Sequence, residues 1–201
     1  MRSLLRLPDR VIVFIDFGAS SLARRGFPVE VGWVAETGAG EAHLIRPAPG
    51  WTEWSDEAEA IHGITRQRLE REGEGHAQVA RRLLAALRDD LVYASAPSWD
   101  GQWLSRLLRA AGLPRHALRL RHVREARAEA AAAGLEAAGI PPERRDALAG
   151  QVIADAVQRA EATGPPRHRA LDDARRELGI WQAVRRLACT ASCTGEGRAA
   201  L

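Results

Sequence analysis

The chain has 201 residues and a mass of 21.9 kDa, enough for one domain with a substantial core and too little for two full ones. Its apolar fraction of 46% and charged fraction of 27% are those of an ordinary globular protein, and no apolar run approaches the roughly 18 residues of a bilayer-spanning helix. The net charge of +3 permits a nucleic-acid partner without demanding one, and two cysteines, Cys189 and Cys193, exclude a disulfide framework and a four-thiolate zinc site.

All 29 basic residues are arginine, which beside the abundant alanine and glycine reads as the coding bias of a GC-rich bacterial genome. Residues 1–8 are too short and too interrupted for a secretory signal, so a cytoplasmic location is expected. Residues 10–17 form an apolar run that predicts a buried strand ending on Asp16. Residues 29–36 alternate as a strand with one solvated face. The turn at Thr37-Gly38-Ala39-Gly40 predicts that residues 41–46 pair with it as a hairpin.

Ser55 followed by Asp56, Glu57 and Glu59 is a helix start, and that helix ends near His62-Gly63. An amphipathic helix over 76–88 carries Val79, Leu83, Leu84 and Leu87 on one face. A short buried strand at 91–94, a helix over about 100–111 and a fifth strand at 118–123 follow. From Arg124 to Ala162 the chain is helical, broken at Gly139-Ile140-Pro141-Pro142. Gly164-Pro165-Pro166 then precedes a last helix over 168–187. Residues 1–187 are expected to form the single domain, with 188–201 as a disordered tail. The expected fold class is α/β: a mixed five-stranded sheet, its antiparallel hairpin at one edge, flanked by helices.

Ligands of such sheets gather at the carboxyl ends of strands, where Asp16 and Asp100 both arrive. A buried carboxylate at a strand end has little structural excuse. Hydrolysis of a phosphodiester with two divalent ions needs several carboxylates and a base. On a strand, residues 16 and 18 share a face, yet position 18 is a glycine and offers only backbone. His168 and Asp173 stand about 140° apart round a regular helix, so they converge only if His168 lies at or before the helix start. Asp172 is the alternative register. Read singly, Asp100 is equally an N-cap, and Asp173 equally an ion-pair partner of Arg169 or Arg176. Trp103 and Trp181 read as core, Trp54 and Trp99 as candidates for base contact, and Arg167 and Arg169 as candidates for phosphate contact.

Four segments in order carry a resemblance: Phe14-Ile15-Asp16-Phe17, Ile61-His62-Gly63-Ile64-Thr65, the run from Tyr93 to Asp100, and His168-Arg169-Ala170-Leu171-Asp172-Asp173-Ala174. The chain resembles the DEDDh 3'-5' exonucleases of the RNase T and DNA polymerase III epsilon (DnaQ-like) superfamily over roughly residues 10–187. The resemblance implies an RNase H-like fold and removal of nucleoside 5'-monophosphates from single-stranded RNA or DNA 3' ends with Mg²⁺ or Mn²⁺. It implies Asp16, Asp100 and Asp173 as metal ligands, with His168 as general base. Gly18, His62, Ile64 and Trp99 fall on the substrate side, Ile64 against the terminal base, and a homodimer is common among relatives. The family has D-x-E where this chain has Asp16-Phe17-Gly18, so its first metal position is weakened. A catalytically silent module that binds nucleic-acid 3' ends or nucleotides is the alternative.

Overall fold

The computed structural model describes residues 10–191. Strand β1 (Ile12–Ala19) is central, because both of its faces are apolar. Val13, Ile15 and Phe17 pack with the residues of one helical layer, while Phe14 packs on the other side with Tyr93 and Trp181. β2 (Pro28–Ala35) pairs antiparallel with β1, and β3 (Gly40–Arg46) antiparallel with β2. Helices α1 (Asp56–His62) and α2 (Arg66–Glu72) come next in the chain. They are followed by β4 (Glu74–Gly75), α3 (His76–Leu87), β5 (Leu91–Ala94), α4 (Pro97–Ala110) and β6 (Leu120–His122). β5 lies parallel to β1, and β6 parallel to β5. α5 (Val123–Ala137), α6 (Pro142–Ala162) and α7 (Ala170–Thr190) complete the chain.

The sheet is mixed and has six strands in the order β4-β3-β2-β1-β5-β6, one more than expected. The extra strand is β4, two residues that pair with Ile45 and Arg46 and cover the hairpin's outer edge. The hairpin is therefore next to the edge rather than at it. α4 starts at Pro97, three residues before Asp100, with the proline in the first turn where its missing N–H costs nothing. Trp103 and Trp181 are core, at 2% and 4% exposure. Ala188 to Thr190 continue α7, correcting the start of the expected tail, and residues 192–201 lie outside the described ones.

Gly32 positions the site. It stands opposite Asp16 in the β1–β2 register, and a Cβ built there would lie 2.3 Å from the Leu171 backbone nitrogen. Only a residue without a side chain lets the first turn of α7 rest this closely on the sheet. Glu30, two pairs along and opposite Gly18, completes the attachment. Its carboxylate is 2% exposed and accepts from Arg169 Nη2 at 2.6 Å, Arg169 Nε at 3.1 Å and the Ala170 backbone N–H at 2.9 Å. Breaking such a pair from one side leaves a buried charge and costs about 3–5 kcal/mol.

Candidate active site

At the carboxyl end of β1 the chain forms a cleft of about 510 Å³. Asp16 and Gly18 of β1, Ile61 and His62 of α1, Trp99 and Asp100 of α4, and His168, Asp173 and Glu177 on or before α7 all line it. Seven of the eight residues expected from the sequence as ligands, base or substrate contacts, Gly18 among them, thus reach one cavity. The exception is Ile64.

Ile64 is fully buried with Phe27, Val29 and Leu69, so the expected contact with a terminal base is not available to it. Gly63 explains this. It caps α1 in the left-handed conformation, φ 67°, and reverses the chain, sending Ile64 inward and leaving Ile61 on the cleft side at 58% exposure. His62 Nδ1 accepts from the Ile64 N–H at 3.0 Å, which fixes the turn. Its Nε2 is buried without a well-formed hydrogen bond, although the Ala19 carbonyl is near enough to favour the charged ring. Burial wins over that effect and lowers the imidazole below its ordinary value.

His168 precedes α7, two residues before Ala170, and it is the one non-glycine described residue with positive φ, 55°. A left-handed histidine stores on the order of 1–3 kcal/mol of strain, held here by the Pro165-Pro166 approach on one side and the Glu30–Arg169 clamp on the other. Asp173 Oδ1 accepts the Arg167 N–H at 3.1 Å, tying the segment before the helix to its first turn. Asp172 points away from the cleft toward Arg167 and Arg175, at 3.8 and 3.9 Å. That settles the two registers in favour of Asp173 as the cleft residue.

Arg169 is committed to Glu30 and is not free for phosphate, and Arg176 donates to the Gly164 carbonyl at 2.8 Å while still lining the cleft. Trp99 is 42% exposed and stacks on Trp103 at 6.0 Å, leaving an indole at the cleft wall. Trp54 is turned away: it packs on Phe27 and meets His62 edge-on, and its Nε1 donates to Glu59.

The electrostatics centre on Asp16. Its carboxylate has no hydrogen-bond or ion-pair partner among the described residues. Burial, then Asp100, Asp173, Glu177 and Glu30, raise it well above the ordinary carboxylate range. Asp100 is 3% exposed and burial raises it to about 7, against hydrogen bonds from backbone groups of Ala96 and Phe17. Burial also raises Asp173. Glu177, one turn after Asp173 on the same face of α7, went unnoticed in the sequence; its i+4 spacing from Asp173 was the available signal. It pairs with Arg127 of α5, both side chains largely buried.

Carboxylates that repel one another and lack a cation suit a hard divalent ion, which takes oxygen ligands. In chemistry the acids present, Asp16 foremost, therefore suit a hard divalent ion. Among the described residues, however, no three histidine, cysteine or carboxylate groups are already gathered around one point as a ligand set.

The raised carboxylates have a consequence for stability without metal. Asp100 holds its proton in the fold up to about pH 7, whereas the unfolded chain releases it near 3.8. The folded state therefore binds more protons across that window, and stability falls as pH rises through it. In chelator, the melting temperature is expected to decline from pH 5 to 7.5, with Asp100 contributing at most about 1.4 kcal/mol per pH unit. Asp100→Asn should flatten the decline. A wild-type profile that rises over this range would contradict the arrangement.

No family model matches the sequence, and no curated protein matches it either. Solved structures do. Apo exonuclease I aligns with a TM-score of 0.51 and 17% identity, over 61% of this chain and 31% of that one. E. coli exonuclease I with a dT13 oligonucleotide gives 0.51 and 16%, over 61% and 30%. The zinc-bound form of the E. coli exonuclease I–single-stranded DNA complex gives 0.62 and 16%, over 88% and 40%. The chain thus spans between 30% and 40% of the length of these structures. Its mixed sheet and flanking helices have a fold similar to that of exonuclease I.

Proposed function

We propose that the protein is a metal-dependent 3'-5' exonuclease that hydrolyses single-stranded RNA or DNA to nucleoside 5'-monophosphates. The observation that carries this reading is the uncompensated Asp16 carboxylate. It sits among four other acids at the strand end of an exonuclease I-like fold. Neighbours solved with single-stranded DNA, one of them in a zinc-bound form, support the substrate class and a divalent ion as its companion.

In this reading Asp16, Asp100 and Asp173 hold Mg²⁺ or Mn²⁺, which supplies charge neutralisation at the scissile phosphate. His168, outside the helix and exposed, accepts the proton of the attacking water at an imidazole nitrogen. Its backbone is left-handed, and it lines the same cleft as Asp173. Trp99 and Ile61 offer apolar surface to the terminal base, and His62 closes the floor. Burial keeps His62 neutral, which spares the cleft a fixed positive charge beside its acids.

The test is trimming of 3'-labelled and 5'-labelled single strands in Mn²⁺. Asp173→Ala is expected to lower the rate by about 100-fold or more, since a metal ligand contributes several kcal/mol. Equal rates in the two proteins would remove the assignment. Gly18 favours a second reading, a silent module that binds 3' ends. Calorimetric titration separates the two: a trimming enzyme binds Mn²⁺ at millimolar concentration or better, and a silent module binds the strand with no metal requirement.

A further inference from the structure

A second cavity, of about 530 Å³, lies beyond the loop that follows β1. Arg25, Arg106 and Arg109 line it, with Trp51 and His76. The three arginines belong to two segments, and one of them holds the other in place. Arg106 of α4 donates to the carbonyls of Arg24, Arg25 and Gly26, so the loop is pinned against the helix and Arg25 is carried to the mouth of the cavity. Burial and repulsion from Arg109 and Arg25 lower the Arg106 guanidinium below its usual value. No carboxylate is ion-paired with any of the three among the described residues. A cluster of cations assembled at such cost, and left without an acid, is complementary to an anion.

Trp51 stacks on Phe27 at 5.2 Å and meets the His76 ring at 5.9 Å, giving the cavity an aromatic wall. Arginine beside an exposed aromatic edge is the pairing used for single-stranded nucleic acid, with cations for the backbone and a ring for a base.

Two elements run from the cleft to the cavity. Leu22 of the loop lines the cleft, and Arg25, three residues on, lines the cavity. On α4, Asp100 and Trp103 line the cleft while Arg106 and Arg109 line the cavity. At 1.5 Å per residue these arginines lie about 9 and about 13.5 Å along the helix from Asp100, within reach of the nucleotides next to a terminal one.

We propose that this cavity is a phosphate-binding subsite that holds the backbone of a single strand whose 3' end occupies the cleft. It rests on the cleft being the site of the terminal nucleotide. The subsite supplies affinity for longer strands without reading their sequence, because phosphate contacts carry no base information.

The experiment compares binding of a fluorescent dT trinucleotide and a dT dodecanucleotide in chelator, where nothing is cut. The proteins are the wild type, the Arg25→Ala/Arg109→Ala double variant and Arg109→Glu. Both residues are exposed and neither anchors the loop, so the fold is expected to survive. The wild type should bind the dodecanucleotide at least tenfold more tightly than the trinucleotide. The double variant should lose that increment while keeping trinucleotide affinity. The slope of log affinity against log salt should shrink by about 1.4, at about 0.7 per lost contact. Equal dodecanucleotide binding and slope in all three proteins overturns the proposal, as does a wild type with no length increment. Inorganic phosphate at constant ionic strength is expected to lower the increment by competing for the same arginines, and an increment that phosphate leaves unchanged counts against the subsite. Trimming of the trinucleotide in Mn²⁺ tests the cleft separately, so a failure there is read apart from the arginine-dependent increment.

Discussion

Gly18→Glu is expected to raise Mn²⁺-dependent trimming by about 100-fold or more, the effect of returning a charged ligand to the Asp16 face of β1. Space is not the obstacle. A Cβ at position 18 would meet Val29 Cγ2 at 3.4 Å and Glu30 Cβ at 3.5 Å, close to ordinary contact, and the backbone there is not left-handed. What the substitution changes is charge. It adds a carboxylate beside Asp16, which already feels four others, and Glu30 stands directly opposite. Without metal the variant is therefore expected to melt below the wild type, and in Mn²⁺ above its own metal-free value by a larger increment than the wild type shows. That pair of melts reads the site independently of turnover. If only the variant trims, Gly18 silences an otherwise competent cleft; if both trim, the acids in place, Glu177 among them, suffice. If neither trims and Mn²⁺ moves neither melt, the cleft is not a metal site.

Much of this arrangement could be read in the sequence because its signals are local. An apolar run ending on aspartate defines β1, and the paired prolines before His168 place it outside α7. What escaped depends on contacts distant along the chain. α2 carries one buried apolar residue, Leu69, and so has no periodicity to detect, and β4 is two residues long. The choice of Ile61 over Ile64 turns on one left-handed glycine cap. Arg169 looked free for phosphate because its partner, Glu30, lies 139 residues away, on a strand whose alternation suggested a solvated glutamate. That glutamate is instead 2% exposed, and it is what anchors α7.

Gly32→Ala is expected to be among the most damaging single-methyl changes in the molecule. The added carbon would lie 2.3 Å from the Leu171 nitrogen, 2.6 Å from its Cα and 2.7 Å from the Ala170 carbonyl carbon, all backbone atoms that cannot swing aside. The first turn of α7 must lift from the sheet, and the Glu30–Ala170 hydrogen bond must stretch with it. Overpacking a core typically costs about 1–3 kcal/mol, and with a buried ion pair also disturbed the loss should reach the upper end of that range. Because Gly32 faces Asp16 in register, the displaced turn carries Asp173 and Glu177 away from it. Fewer acids near Asp16 mean less repulsion, so the metal-free decline of stability with pH should flatten even as the protein loses stability at every pH. Denaturant melts across pH 5 to 7.5 check both effects in one experiment. A Gly32→Ala protein with wild-type stability and an unchanged pH slope would show that α7 does not depend on this contact for its place above β1.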